Sequence, residues 1–429
     1  MPEPGLRGTI GNRVFRQKPE PRVQIPPSPK VLFYGGVPEW SNGAVSKTVV
    51  PPEAGPGVRI PPPPNLILWW TTNLKPISLG VAMNWEFLIQ LSDTPALPGN
   101  EEPIRKIIIH KLRKLTDEIQ VDKLGNVIAH IQGNGPKLML DAHMDEIGFM
   151  VSHIDNKGFI RVVPLGGVDP KVFYAQRVII WGKEKVPGVV GTTPPHLTRK
   201  DPSEKDKIVP IEDCFIDTGL PAEKVHSLIS VGDPVTFDAK CIQTENSIIG
   251  KALDDRIGLF MMLEAAKSAE KIGCDLYLVA TTQEEVGIRG VPPAAFAVEP
   301  DLGISLEGTV ANDIPGVPEH KRLALLGKGP EIRLSDGRFI ADRNWVNFIS
   351  ELARKYDIPH QIIAKRVGGT NASAVQISKK GVISTAISIP VRYIHSPYSI
   401  ANKSDIIYGI KLIAKTIENA SNFFDRRGT

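Results

Sequence analysis

The sequence predicts an α/β fold: a mixed, mostly parallel sheet flanked by helices, with a small β-rich domain inserted into the chain. From residue 83 onward, apolar runs of strand length alternate with segments of helical periodicity, which is typical of a sheet covered by helices on both faces. Between residues 149 and 240 the pattern changes to short β-branched runs separated by Gly, Pro and Asp. We therefore expect a main domain of residues 83–148 and 241–429, with residues 149–240 as the insert.

Helical spacing of apolar residues predicts the helices of the main domain. They are expected at residues 86–90, 101–115, 255–271, 344–356 and 405–424. The helix at 255–271 is expected to end near Gly273, which would act as its C-cap. The helix at 405–424 carries an isoleucine stripe that predicts a face packed on the sheet; its members are Ile406, Ile410, Ile413 and Ile417.

Apolar and β-branched runs predict the strands. In the main domain they are residues 118–131 with a turn at Gly125 and Asn126, 137–140, 248–253, 276–280, 302–306, and 383–394 with a break at Pro390. In the insert they are residues 159–163, 177–181, 186–190 and 234–237.

The first 82 residues differ from the rest of the chain. They hold 16 of the 38 prolines and carry a net charge of +5, whereas the remainder carries −1. This composition is typical of a disordered or extended segment. The codons that encode 57–61 and 36–41 would also resemble transfer RNA arms, and we favour a spurious, over-extended reading frame with Met83 as the true start. Because the main body is not basic, no nucleic-acid partner is expected.

Composition favours a cytoplasmic enzyme without a membrane partner. No apolar run approaches the roughly 20 residues that a membrane helix needs. The three cysteines, Cys214, Cys241 and Cys274, form no C-x-x-C pair, so neither a disulfide framework nor a thiolate metal site is indicated.

The most informative motif places two adjacent carboxylates, Glu284 and Glu285, just beyond the apolar run 276–280. Two neighbouring side chains can face one site only where a strand gives way to a loop. One carboxylate there can hold a metal while the other takes a proton from water. Taken alone, the pair could equally be a solvated charge pair in a loop.

Four further apolar runs lead directly into metal-type ligands, which are His143, Asp254, Glu307 and His395. In open α/β sheets, functional groups gather beyond the carboxyl ends of the strands. With Glu285 the set holds two imidazoles and three carboxylates, which suits two divalent metals that share one bridge. Ligands without thiolate favour Zn, Co or Mn. Asp145, two residues after His143, suits an acceptor for the second ring N–H.

Four motifs together resemble the tetrahedral, dinuclear-metal aminopeptidases, which are also known as glutamyl or deblocking aminopeptidases; some relatives carry an endoglucanase label. The motifs are His143–Gly148, Ala252–Arg256, Gln283–Gly290 and Ile394–Pro397. The resemblance implies a zinc-peptidase-like catalytic domain at 83–148 and 241–429. It also implies that 149–240 is the dimerisation domain of a homo-oligomer, a hollow twelve-subunit particle.

The resemblance also implies a role for each site residue. Asp254 would bridge two metals, and the peptide bond after it would be cis. His143 and Glu307 would complete one metal site, and Glu285 and His395 the other. Glu284 would be the general base, and Asp145 would orient His143. The resemblance implies that the loop 368–372 lies near the substrate, and Asn371 departs from it because relatives often have an acid there.

The chemistry that follows is metal-dependent removal of N-terminal residues from peptide substrates. Two divalent ions, Zn or Co in preference to Mn, would activate a bridging water, and Glu284 would accept its proton. A related metal hydrolase acting on another amide, or on a polysaccharide, is the alternative. A non-catalytic assembly protein with the same fold is a third hypothesis, against which the complete ligand set argues.

Overall fold

The computed structural model describes residues 83–194 and 208–425. The prediction for residues 1–82 lies outside the described residues. The helices within these ranges are α1 Trp85–Asp93, α2 Glu102–Leu112, α3 Ala222–Leu228, α4 Leu253–Ser268, α5 Val291–Val298, α6 Arg343–Lys355, α7 Ala372–Gln376, α8 Lys403–Asn419 and α9 Asn422–Asp425.

The strands of the same ranges are β1 Ile119–Val121, β2 Val127–Ile131, β3 Lys137–His143, β4 Gly148–Ile154, β5 Ile160–Leu165, β6 Arg177–Trp181, β7 Lys185–Gly191, β8 Phe215–Asp217, β9 Pro234–Phe237, β10 Ile242–Gln243, β11 Ser247–Gly250, β12 Asp275–Thr281, β13 Leu302–Val310, β14 Glu331–Ser335, β15 Gln361–Ala364, β16 Ile383–Arg392 and β17 Ser399–Asn402.

One large mixed sheet forms the main domain. Its strand order is β1-β2-β12-β3-β13-β16-β17-β11-β10, and β14 and β15 branch from β16. The central strands β12, β3, β13 and β16 pair in parallel, whereas the outer strands of this order pair antiparallel. The predicted fold class, a mixed and mostly parallel sheet flanked by helices, is confirmed.

Helices cover both faces of the sheet. Alternation along β3 directs Leu138 and Leu140 into one hydrophobic core and Met139 into a second one. The larger core contains α4 and α8, and the predicted isoleucine stripe of α8 is buried in it. The smaller core is formed with α5 on the opposite face. The parallel strands are therefore buried from both sides, which explains their near-continuous apolar character.

A closed antiparallel barrel forms a second unit, with the strand order β4-β5-β8-β7-β6-β9. It has a hydrophobic core of its own, in which Phe149 stacks near Phe173 with ring centroids 4.1 Å apart. All six strands lie in the chain between His143 and Asp254. The predicted small β-rich unit is thus present as a barrel, while its role in dimerisation stays a prediction.

Two sequence expectations were wrong in detail. Pro390 does not break its strand, because β16 runs through it. The side of β16 that faces β14 and β17 is the relevant one. There β14 pairs at Ile387 and Ser388, and β17 pairs only from Val391 onward. The N–H group that Pro390 lacks therefore falls in a gap between these two strands.

The second concerns Gly273, which is not a helix C-cap, because α4 ends at Ser268. A Cβ atom on Gly273 would lie 2.4 Å from the carbonyl oxygen of Glu418 in α8. Close approach of two backbones therefore explains this glycine.

Candidate metal centre

The sheet brings the five predicted ligands to one place. His143 is the last residue of β3, and Glu285 follows the end of β12. Asp254 comes after β11 and His395 after β16. Glu307 departs from the pattern, because it lies inside β13, which continues to Val310.

Asp254 lies between the two imidazoles. Its Oδ1 atom is 3.4 Å from Nε2 of His143, and its Oδ2 atom is 3.5 Å from Nε2 of His395. Each carboxylate oxygen therefore faces a different histidine. This is the arrangement that a carboxylate needs to bridge two cations.

The remaining two carboxylates complete the cluster on opposite sides of Asp254. Oε2 of Glu285 is 3.5 Å from Nε2 of His395, and Oε2 of Glu307 is 4.0 Å from Nε2 of His143. Potential ligand atoms of His143, Asp254 and Glu285 all lie within 4.8 Å of one another. The structure thus brings all five side chains together. A second compact group of potential ligand atoms is His143, Asp255 and Glu307, so the division of the ligands between two metals stays a prediction.

The donor set fits divalent cations. Oδ1 of Asp254 is buried and has no hydrogen-bond partner among the described residues. Three carboxylates converge with two imidazoles and no thiolate, which suits Zn, Co or Mn. Buried carboxylates at this density require compensating positive charge, and a pair of cations would supply it.

Burial dominates the electrostatics of the metal-free cluster. It raises the pKa of Glu285 to about 8 and that of Glu284 to about 7. The pKa of Glu307 is also raised, by burial first and then by Glu284. Burial disfavours ionised Asp254 as well, but the imidazoles of His143 and His395 outweigh it and hold its pKa well below the usual range.

The two histidines respond in the opposite direction. Burial alone would lower their pKa values, but the neighbouring carboxylates of Asp145 and Asp254 raise the pKa of His143 well above its usual value. Asp254 and Glu285 raise the pKa of His395 to about 9. The neighbouring carboxyl and imidazole groups of the cluster therefore share protons, and a bound cation would displace these protons.

Asp145 holds the turn that carries the adjacent glutamates. Its Oδ1 and Oδ2 atoms accept hydrogen bonds of 3.0 Å from the backbone N–H groups of Glu284 and Glu285. Its carbonyl oxygen is the nearest acceptor to Nδ1 of His143, at 3.1 Å, whereas its carboxylate is 3.5 Å away. Asp145 thus orients His143 mainly through its backbone and positions the glutamates through its side chain.

Asp255 is a buried residue of the site that the sequence argument missed. The Asp254–Asp255 peptide bond is cis, as the resemblance implied. The Asp255 carboxylate accepts from the N–H groups of His143 at 3.1 Å and Gly258 at 2.9 Å. It therefore connects the segment of Asp254 to the end of β3. Its position directly after Asp254 was the only signal in the sequence.

Asn371 contacts the cluster from the loop 368–372. Its backbone N–H donates to Oε1 of Glu307 at 3.2 Å, and its side-chain amide donates to Oγ1 of Thr281 at 2.9 Å. Asn371 is 1% exposed, so the end of this loop is tied to a candidate ligand.

A cavity of about 530 Å³ opens beside the cluster. Four of the five candidate ligands and Glu284 line it, together with three basic residues that we call the basic wall, Arg333, Lys365 and Arg338. Arg333 and Lys365 both bond to the buried Glu331, at 2.7 and 2.9 Å. These basic residues were not anticipated, because nothing in their local sequence marks them.

The sequence matches one family over most of the described chain. Residues 125–412 match the sequence model of the M42 glutamyl aminopeptidases. A lysyl aminopeptidase of Pyrococcus furiosus is 37% identical over 345 residues, which covers 78% of this chain and 97% of the relative.

Solved structures of similar proteins share the fold. An aminopeptidase from the archaeon Desulfurococcus kamchatkensis has a TM-score of 0.76 at 35% identity, covering 80% of this chain and 96% of that one. A TET1 peptidase of Pyrococcus horikoshii, which can assemble into a tetrahedron or a large octahedral shell, has a TM-score of 0.69 at 30% identity, with coverage of 78% and 99%. A Thermotoga maritima protein described as an endoglucanase has a TM-score of 0.66 at 32% identity, with coverage of 79% and 98%.

No helix within residues 83–194 and 208–425 combines the length and apolar character needed to cross a bilayer.

Proposed function

The chain belongs to the M42 glutamyl aminopeptidase family, and from this premise we propose that it removes N-terminal residues from peptides by means of a dinuclear metal site. The observation that carries the proposal is the position of Asp254, with one carboxylate oxygen facing His143 and the other facing His395. Glu307 on the first side and Glu285 on the second would complete the two sets of ligands.

Two divalent ions bound there supply Lewis acidity that activates water and polarises the scissile carbonyl. Glu284 lines the cavity next to the candidate ligand Glu285, which supports a role in which its carboxylate would accept the proton of the attacking water. Later it would return the proton to the leaving amine. Burial favours the protonated form that this second role requires, because it raises the pKa of Glu284.

Asp145 would hold this base in place. Its two hydrogen bonds to the N–H groups of Glu284 and Glu285 fix the turn from which both side chains reach the site. The base and a ligand therefore share one anchor, which keeps the proton acceptor at a constant distance from the cluster.

The basic wall of the cavity bears on the choice of substrate. Arg338 is exposed at the cavity and makes no ion pair within residues 83–194 and 208–425. A positive side chain there would attract an acidic N-terminal residue and repel a lysine. We therefore expect N-terminal glutamate to be cleaved faster than N-terminal lysine.

Assembly and metal identity form the finer part of the proposal. Zn or Co is favoured by the ligand set, and Mn is compatible with it. The printed description of the Pyrococcus horikoshii TET1 peptidase supports a homo-oligomer, with a dodecamer as the expected particle and the barrel as its dimerisation domain. Cytoplasmic localisation stays a prediction.

An endoglucanase-like activity is the alternative, and it is supported by the description of the Thermotoga maritima neighbour. Glycosidases usually act through two carboxylates flanking the sugar, without a metal pair. A chelator should therefore leave a sugar hydrolase active and inactivate a metallopeptidase.

The decisive experiment measures release of N-terminal residues from a mixed peptide panel, with and without chelator. N-acetylated copies of the same peptides are the control, and bound metal is quantified on the same sample. Chelator-sensitive cleavage restricted to free N-termini is the expected result. Full metal occupancy without cleavage would overturn the peptide substrate, and absence of bound metal would overturn the site.

A further inference from the structure

Asp145 is not the only side chain that holds the turn carrying Glu284 and Glu285. Four successive backbone N–H groups, from Thr282 to Glu285, donate to side chains from other parts of the chain. Asn126 accepts from Thr282 at 2.9 Å and Glu101 accepts from Gln283 at 3.2 Å, before Asp145 accepts from the two glutamates.

The three acceptor side chains are buried. Glu101 is 1% exposed, and Asn126 and Asp145 are fully buried. Oε1 of Glu101 also accepts from the N–H of Gly99 at 2.8 Å. A buried carboxylate bound by backbone N–H groups is a fixed anchor, because loss of either partner leaves a buried polar group unsatisfied.

Gln283 has an unusual backbone conformation. Its φ angle is +54°, in the left-handed region that non-glycine residues rarely adopt. Its N–H is the one that Glu101 binds. Gln283 comes immediately before the two glutamates, so its conformation affects the direction of the backbone that carries both of them beyond strand β12.

We propose that Glu101 is a positioning residue for Glu284. Its oxygen fixes the N–H of Gln283 and so the left-handed backbone conformation next to which Glu284 reaches the attacking water. Glu101 touches neither the ligand cluster nor the cavity lining, so it would act only through the turn. A kinetic test of this role rests on the proposed function, whereas a test of the backbone structure at the turn does not.

Two substitutions of Glu101 distinguish the effect of the position of its side-chain oxygen from the effect of its charge. Glu101→Gln retains an oxygen that reaches Gln283 but removes the charge. Glu101→Asp retains the charge but withdraws the oxygen by one methylene. Both keep the burial of the site close to that of the native chain, and Glu101→Ala removes the anchor altogether.

Glu102 provides a matched control. It is the next residue in the chain, its side chain is 66% exposed, and it pairs with Lys106 on the helix surface at 2.8 Å. Glu102→Ala should therefore behave like the unchanged protein in every assay.

The kinetic test uses the full chain saturated with Zn²⁺ and a peptide with a free N-terminus. We expect Glu101→Asp and Glu101→Ala to lower kcat by roughly 10- to 100-fold, with KM and metal content unchanged, because a displaced base slows the chemical step. Glu101→Gln should retain kcat within about threefold. An active Asp variant beside an impaired Gln variant would overturn the proposal, as would full kcat in a folded Ala variant.

The structural test does not require the chain to cleave peptides. Hydrogen exchange of the metal-free chain, followed on peptides that cover residues 276–290, should be faster in Glu101→Asp than in Glu101→Gln or Glu102→Ala. Unchanged exchange in the Asp variant would overturn the proposal. If exchange responds as expected but the native chain cleaves no peptide, the proposed function fails while the anchoring role stands.

Discussion

Oδ1 of Asp145 accepts a hydrogen bond of 3.0 Å from the backbone N–H of Glu284. The carbonyl oxygen of the same aspartate lies 3.1 Å from Nδ1 of His143. One residue therefore sets the orientation of a candidate ligand on β3 and of the candidate base beyond β12. These two strands are neighbours in parallel register, with Thr281 opposite His143, so a short side chain can span the distance.

Asp145→Asn tests this connection. The variant keeps the shape of the side chain, but its NH₂ group must face one of the two N–H donors that the carboxylate now binds. We expect kcat to fall by about 10- to 100-fold, which corresponds to loss of a charge-assisted hydrogen bond of about 1.5–3 kcal/mol. Steady-state kinetics with metal analysis checks it. Asp155→Asn is the control, because Asp155 is a half-buried turn residue of the barrel that also accepts hydrogen bonds from backbone N–H groups.

Glu284→Gln separates the base from the ligands. The amide cannot accept a proton, so kcat should fall by roughly 10²-fold or more while both metals stay bound. Glu285→Gln is the comparison, because it should instead lower the metal content. Metal analysis and kinetics on the same preparations distinguish the two, and near-normal turnover in Glu284→Gln would contradict its role as base.

Much of the candidate site could be predicted because its information is local in sequence. His143, Asp254, Glu285 and His395 each follow a strand or its apolar run, and the carboxyl ends of parallel strands converge. Glu307 was found by the same argument although its strand continues past it. In that case the side chain, not the end of the strand, faces the cluster.

What could not be predicted depends on contacts between distant segments. Glu101 and Gln283 are 182 residues apart, and Asn371 and Thr281 are 90 apart. Pairing at such distances is set by the tertiary packing of whole elements, which no local spacing encodes. Pro390 shows the same limit, since its place in β16 depends on a gap between two neighbouring strands.

Metal binding should release protons. Burial raises the pKa of Glu285 to about 8, so in the metal-free chain this carboxyl is largely protonated at pH 7 and must ionise to bind a cation. Below its raised pKa, Glu285 is mostly protonated and competes with the cation for binding. The affinity of the chain for Zn²⁺ should therefore rise as pH increases from 6 to 8. Titration calorimetry with Zn²⁺ in buffers of different ionisation enthalpy should detect about one proton or more released per chain. Heats that are independent of the buffer would contradict this.

Arg338→Glu tests the charge of the cavity wall. Reversing an exposed charge at the cavity should lower the preference for N-terminal glutamate over lysine by about fivefold, measured as the ratio of kcat/KM values for two matched peptides. Arg366→Glu is the control, because Arg366 is also exposed and nearby but does not line the cavity. An equal change of preference in both variants would indicate a general surface effect instead.

His130 should make stability depend on pH far from the metal site. Its ring nitrogens lie 2.7 Å from carboxylates of Glu118 and Asp275. Burial would lower the pKa of His130, but these bonds outweigh it and raise the pKa. The stabilisation is therefore complete below the unfolded pKa of about 6.5 and is lost as pH rises through the higher folded value.

His130→Gln should lower Tm by about 1–3 °C at pH 6 and by less at pH 9. Thermal unfolding of the metal-free chain measures this, with His226→Gln as control because His226 contacts a carbonyl oxygen rather than an acid. A larger loss at pH 9 would show that the imidazole acts as a neutral hydrogen-bonding group.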